Sequence, residues 1–330
     1  MRTRNLGQRM QVSAIGIGCM PMISGGNINY GAADEGESIA TIHEAIDLGV
    51  TFFDTAEMYG PFTNEELLGR AIKGRRQGLQ IATKFAMRWN GNDMAGLDGS
   101  PANARRAIEG SLQRLGIDTI DLFYQHRVDP KVPIEETVGG MAELVKEGKI
   151  RHIGLSEAGP DTLRRAVATH PIAALQSEYS LWERGVEDEI LDICRNNDIG
   201  FVPYSPLGRG FLAGGIRSLD DLGADDWRRQ DPRYSAENLP ANLKIVDAVG
   251  EVAARHGVSN AQVALAWLLA QGPNIVPIPG VKRRATMRDS AGAYKVALTE
   301  QDMAALDAAA PAGGTAGPRY GERGMKMVRI

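Results

Sequence analysis

The chain is poor in cysteine: Cys19 and Cys194 are the only two in 330 residues. That is too few for a disulfide framework, and their spacing offers no zinc site. No metal is expected, and a reducing, cytoplasmic setting fits the thiol content. Long hydrophobic runs are also missing. The longest, VALAWLLA over Val263–Ala270, falls well short of the ~18 apolar residues of a membrane helix and reads as a buried helix. The N-terminal stretch MRTRNLGQRMQVSAIGIG carries positive charge but no apolar core of a leader peptide. An excess of basic charge is absent too. The formal net charge of −4 argues against nucleic acid or an anionic membrane surface as a partner. There is no internal repeat and no low-complexity tract. With 43% hydrophobic and 24% charged residues, the composition is that of an ordinary soluble globular protein.

Short apolar runs alternate with segments of helical spacing. Strands are expected over Ala14–Gly18, Thr51–Asp54, Leu79–Lys84, Ile120–His126, His152–Ser156, Ala173–Glu178, Gly200–Ser205 and Asn274–Pro279. Between them lie helix-length segments such as Ser38–Leu48, Ala102–Leu115, Ile134–Glu147, Asp161–Thr169 and Glu187–Asn197, with apolar residues three and four apart. Eight strands alternating with helices predict one α/β domain over 1–330, a single (β/α)8 TIM barrel. After the seventh strand the alternation breaks. A Gly/Asp/Arg-rich loop (Gly208 to Asp231) and two extra helices, Leu239–His256 and Asn260–Gln271, precede the eighth. Loops of this length tend to be functional or disordered. The Gly-rich tail 311–330 either folds back over the site or moves free of it.

Three of these strands stop on polar, titratable groups. Phe52-Phe53-Asp54 runs into a loop carrying Tyr59, one strand ends on Lys84, and another ends on His126. In a parallel barrel the C-terminal strand ends share one face, which holds the active site. A carboxylate, a phenol, an ammonium and an imidazole there suit proton transfer coupled to carbonyl reduction. Lys84 is expected to lower the Tyr59 pKa, Asp54 to pair with Lys84, and His126 to orient a carbonyl oxygen. Singly, each has a plainer role: a turn residue, a packing ring, a surface lysine, a hydrogen-bonded core histidine. Their joint occurrence after successive strands favours the chemical reading.

The same residues carry a resemblance. FFDTAEMYG, TKF and DLFYQHRVD, with SLQRLGIDTIDL, IRHIGLSE, QSEYSLWER, PYSPLGRGFL and IPGVKRR in order along nearly the whole chain, resemble the aldo-keto reductases. The branch most similar includes pyridoxal reductases and auxin-induced-protein-like enzymes. The resemblance implies NADPH-dependent reduction of a small-molecule carbonyl, with Tyr59 as proton donor and Asp54, Lys84 and His126 completing a tetrad. The fold is also used by slow-turnover, cofactor-sensing regulatory subunits, the alternative reading. The resemblance implies cofactor contacts from Gly18, Cys19, Met20, Asp54 and Gly280, and from Ser156 and Gln176 on the nicotinamide amide. It implies Tyr204 stacked on the nicotinamide ring, and the loop Ser205, Pro206, Leu207, Gly208, Arg209 and Gly210 over the pyrophosphate. Ser290 stands where many relatives carry Asn near the adenine, and Glu157 where some carry Asn. Lys282, Arg283, Arg284 and Arg288 follow the eighth strand, where barrels commonly bind phosphate. Four cations suit the 2′-phosphate of NADP(H). Gly208–Ala213 spells GxGxxA, but the strand it follows has six others before it, so it is not a Rossmann fingerprint. Met20, Tyr59, Phe62, Trp89, His126 and Arg127 are the expected substrate pocket, and the stretch after Lys84 is expected to be a loop.

Overall fold

The computed structural model describes residues 1–7, 10–23, 31–90 and 93–330. An antiparallel hairpin, β1 (Thr3–Leu6) and β2 (Met10–Ser13), comes first. The parallel strands are β3 (Ile17–Gly18), β4 (Phe52–Asp54), β5 (Gln80–Phe85), β8 (Ile120–Gln125), β9 (Ile150–Ser156), β10 (Ala174–Glu178) and β11 (Gly200–Tyr204). A second antiparallel hairpin, β6 (Met87–Asn90) and β7 (Asp93–Leu97), follows β5. Helices α1 (Glu35–Asp47), α2 (Thr63–Ile72), α3 (Pro101–Leu115), α4 (Ile134–Lys146), α5 (Pro160–Thr169) and α6 (Ile190–Asn196) separate the strands. Then come α7 (Leu239–His256), α8 (Asn260–Ala270), α9 (Arg284–Gly292), α10 (Glu300–Ala309) and the short α11 (Glu322–Met325). No helix among the described residues is long and apolar enough to cross a membrane.

The parallel strands run in the order β11-β10-β9-β8-β5-β4-β3, and residues 274–280 close the ring. On one side, Val276 N–H donates to Phe201 O (2.9 Å), Ile278 N–H to Pro203 O (3.1 Å), and Phe201 N–H to Asn274 O (2.8 Å). On the other, Gly16 and Gly18 N–H donate to Pro277 O (3.0 Å) and Pro279 O (3.1 Å). Pro277 and Pro279 have no N–H to return, so that ladder runs one way. The eighth segment therefore closes the barrel without becoming a regular strand. The first strand, expected over Ala14–Gly18, pairs with β4 only at Ile17 and Gly18.

Alternation along the strands builds the site. Phe52, Ala82, Leu122, Tyr124, Ala174 and Val202 point into the barrel and form one cluster with Val276 and Ile278. Leu6, Met10 and Val12 of the N-terminal hairpin join it and cap the end where the strands begin. Phe53, Ile81, Phe123, Leu175 and Phe201 point outward to the helices. Successive inward positions lie two apart. The layer above the apolar one is therefore Asp54, Lys84, Gln176 and Tyr204, with His126 two past Tyr124. Gly154 on β9 makes room for this packing: a Cβ there would lie 2.4 Å from the Tyr124 ring.

Helix ends follow local signals. Ser100 caps α3 by accepting from Asn103 N–H, Pro101 occupies its first turn, and Gly116 ends it at φ 64°. The long segment after β11 is ordered as short 3₁₀ turns, Gly208–Ala213, Leu219–Asp221, Trp227–Gln230 and Pro232–Tyr234. The GxGxxA stretch is the first of these.

Candidate active site

A cavity of about 610 Å³ opens at the C-terminal strand ends. A wider groove of about 990 Å³ lies at the opposite end, lined by Arg76, Leu79, Thr119, Asp121 and Arg151 among others. None of Asp54, Tyr59, Lys84 or His126 touches that groove.

Lys84 is fully buried and Asp54 nearly so. The Lys84 ammonium donates to Asp54 Oδ1 in a short contact, to Thr55 O at 2.8 Å and to Tyr59 Oη at 3.2 Å. Asp54 Oδ2 accepts from Gln176 Nε2 at 2.8 Å. The Tyr59 and His126 rings meet edge-on, with centroids 5.8 Å apart. Tyr59, His126, Asp54 and Gln176 line the cavity, while Lys84 stands behind Tyr59. Sequence-distant groups thus converge as one hydrogen-bonded chain, Gln176–Asp54–Lys84–Tyr59.

Burial is the largest single influence on each of these groups. It works against the Lys84 charge, but Asp54 and Tyr59 carry its pKa above the ordinary lysine value. Burial raises Asp54, opposed by Lys84 and Gln176. It also raises Tyr59; Lys84 opposes this and the Asp54 charge adds to it. The expectation of a lowered Tyr59 pKa is therefore corrected. Lys84 pulls in the expected direction, but dehydration of the phenolate outweighs it, and Tyr59 keeps its proton at neutral pH. Burial, then Lys84 and Arg127, push His126 well below the ordinary histidine value. Its imidazole is neutral, with Nδ1 lacking a protein partner.

Most expected contacts line the cavity: Gly18, Met20, Tyr204, Ser205, Pro206, Leu207, Arg209, Gly210, Gly280, Lys282, Arg283 and Ser290, with Trp89 and Arg127. Six do not. Cys19 is wholly buried behind the wall. Ser156 is buried and accepts from Arg127 Nη1 at 3.2 Å. Gly208 packs on Trp182. Phe62 is exposed and stacks on Arg114, 4.5 Å from its guanidinium, because the αL backbone at Phe62 turns it outward. Arg284 and Arg288 turn to Glu37 and Glu44 on α1, so the basic cluster is split. Lys282 and Arg283 face the cavity and the other two tie α9 to α1. Arg209 lines the cavity with its charge already matched by Glu178 (3.1 Å) and Asp231 (2.6 Å), between the Trp227 and Tyr320 rings.

Residues 14–311 match the Aldo/keto reductase family. The chain belongs to the aldo/keto reductases. The Glycine max protein called "Probable aldo-keto reductase 1" is 46% identical over 314 residues, covering 95% of this chain and 90% of that protein. The glycerol dehydrogenase of Gluconobacter oxydans superposes with a TM-score of 0.85 at 30% identity, covering 93% and 94% of the two chains. A Klebsiella pneumoniae aldo/keto reductase in complex with NADP and acetate does so with a TM-score of 0.74 at 28% identity, covering 97% and 98%. As a member of this family the protein is an oxidoreductase of carbonyl and hydroxyl groups.

Several cavity-lining residues of this aldo/keto reductase were not read from its sequence. Met94 enters on the β6–β7 hairpin, where a loop was expected. Asn90-Gly91 between alternating residues is the hairpin signal that finds it. Met58 follows β4 in the loop to Tyr59. Tyr320, Gly324, Met327 and Val328 come from the tail, which folds over the cavity. No local pattern marks them, because long-range ion pairs hold the tail. Arg319 is buried against Glu157, and Arg329 meets Glu183 at 2.8 Å.

Proposed function

We propose that this aldo/keto reductase reduces an aldehyde or ketone with NADPH, Tyr59 giving its proton to the carbonyl oxygen. The observation that carries this reading is the buried Lys84 ammonium, bonded at once to Asp54 and to the Tyr59 hydroxyl on the cavity wall.

The cavity suits the cofactor by the chemistry of its walls. Lys282 and Arg283 line it beside the start of α9, with Asp289 and Ser290 of that helix; Asp54, Tyr59, His126 and Tyr204 line it at the strand ends, with Lys84 behind Tyr59. Gly18 and Gly280 pass where a side chain would collide: a Cβ on Gly280 would lie 2.8 Å from the Pro21 ring. When bound, NADPH supplies the hydride to the carbonyl carbon. Tyr204 would hold the nicotinamide ring, and Gln176, whose Nε2 donates to Asp54 Oδ2, would hold its amide. Neutral His126 orients the carbonyl oxygen by a hydrogen bond without competing for the proton. Tyr59 protonates that oxygen, and Lys84, 3.2 Å away, stabilises the phenolate left behind.

Two tests arise here. First, Arg283→Ala combined with Lys282→Ala should weaken NADPH by about tenfold or more, the scale of lost charge-assisted hydrogen bonds, and NADH far less. Titrating both cofactors against protein fluorescence measures this. Equal weakening would remove the 2′-phosphate role, and a larger effect from Arg284→Ala would show that the Glu37 pair opens for the cofactor. Second, the rate of reduction should be flat between pH 6.5 and 10, the ordinary histidine and tyrosine values. His126 titrates below that window and Tyr59 above it, so on the alkaline side the rate should fall only as Tyr59 loses its proton. A kcat that falls as pH rises through about 6.5 would make imidazolium the working form.

A further inference from the structure

Glu157 sits in the αL region at φ 57°, a costly backbone for a glutamate, and is completely buried. Its carboxylate is saturated. Oε1 accepts from Tyr204 Oη (2.8 Å), Glu178 N–H (3.2 Å) and Arg319 Nη1 (3.1 Å), and Oε2 accepts from Arg319 Nη2 (2.5 Å). Burial would raise its pKa, but Arg319 and Arg127 hold it below the ordinary glutamate value. Arg319 is only 3% exposed and also lies 3.8 Å from Glu178. The next tail residue, Tyr320, meets the same Tyr204 hydroxyl at 2.9 Å. Tyr204 therefore has its ring on the cavity wall and its hydroxyl locked between the strand-end carboxylate and the tail.

We infer that Arg319 is a positioning residue: through Glu157 it fixes the Tyr204 ring against which the nicotinamide lies, so the C-terminal tail completes the cofactor site. A clamp serving only to hold the tail has no need to share its carboxylate oxygen with a cavity-lining phenol. Nor would it need Tyr320 to bond that same hydroxyl. The bidentate Arg319–Glu157 contact also removes the freedom of a carboxylate that otherwise turns between its other two donors, Tyr204 Oη and Glu178 N–H. The inference rests on the NADPH reading above.

The test uses the full-length protein and three variants, Arg319→Met, Tyr204→Phe and the double Arg319→Met/Tyr204→Phe. Measured are the NADPH affinity by fluorescence quenching, the single-turnover rate at saturating NADPH, the aldehyde KM and the melting temperature. Arg319→Met should weaken NADPH about tenfold and slow the single turnover. Tyr204→Phe keeps the ring and breaks only the hydroxyl link. It should weaken NADPH about threefold with little change in melting temperature. The double variant should bind NADPH no more weakly than Arg319→Met, since both act through one link. If Arg319→Met does not fold, Tyr204→Phe alone decides. NADPH affinity within twofold of wild type in the folded variants, with only melting temperature or aldehyde KM altered, overturns the inference and leaves the tail as a wall. Wild-type protein that fails to bind NADPH would instead overturn the reading on which it rests.

Discussion

Tyr59→Phe is expected to lower carbonyl reduction by a factor of about 10²–10⁴, the range for a positioned general acid, while NADPH affinity stays within about twofold of wild type. In barrier terms that is about 3–5 kcal/mol. The substitution removes one oxygen and leaves the ring, so the edge-on contact with His126 at 5.8 Å survives. The Lys84 ammonium keeps Asp54 and Thr55 O as partners, which limits the structural cost. Steady-state NADPH consumption measures the loss and fluorescence titration checks that cofactor binding is intact. Turnover close to wild type would take the proton-donor role from Tyr59 and pass it to His126 or to water.

Lys84→Met combines a catalytic and a structural effect, and the two separate cleanly. Removing one partner of a buried pair leaves Asp54 with Gln176 alone, and such a loss costs about 3–5 kcal/mol of stability. For Tyr59 the strongest influence lowering its pKa disappears and only that of Arg127 is left, while burial and the Asp54 charge, both raising it, remain. Turnover should therefore fall by a factor comparable to that of Tyr59→Phe. Because both residues belong to one proton-donating unit, Lys84→Met/Tyr59→Phe should be little worse than the poorer single variant. Pairing Lys84→Met with Asp54→Leu removes both charges from the interior. That double change should restore much of the stability, as apolar replacement of buried pairs often does, and none of the turnover. Denaturant unfolding beside the activity assay checks both statements. Recovery of turnover in the charge-free variant would show that Lys84 and Asp54 only support the fold.

How far the residues announced all this depended on the range of the interactions. Strand ends and their polar terminators were legible because inward and outward positions alternate over short distances. Phe52 followed by Asp54, and Ala82 by Lys84, state the inward row directly. The closing segment was legible in place but not in regularity, since its prolines remove half of one ladder. The N-terminal hairpin passed unseen because its strands are short and polar on one side. The split of the basic cluster also lay beyond local reading. Only the folded chain brings Glu37 and Glu44 on α1 to Arg284 and Arg288, over 240 residues away. The same is true of Arg319 and Glu157, 162 apart, and so the tail could be read as either covering or free. The direction of the Tyr59 shift escapes the sequence for a related reason: a neighbouring charge is visible in the sequence order, but the depth of burial is not.

The most direct test of the central claim follows the hydride and the proton donor together. Wild-type protein and Tyr59→Phe are each loaded with NADPH deuterated on the nicotinamide carbon that carries the hydride, then mixed with a reactive aromatic aldehyde. One turnover of wild type should place deuterium on the carbinol carbon of the product, and Tyr59→Phe should retain its labelled cofactor over the same interval. Wild-type protein that binds NADPH tightly and yet transfers no deuterium to any of a panel of aldehydes and ketones would contradict the account, and would make the chain a cofactor-sensing protein on a reductase fold.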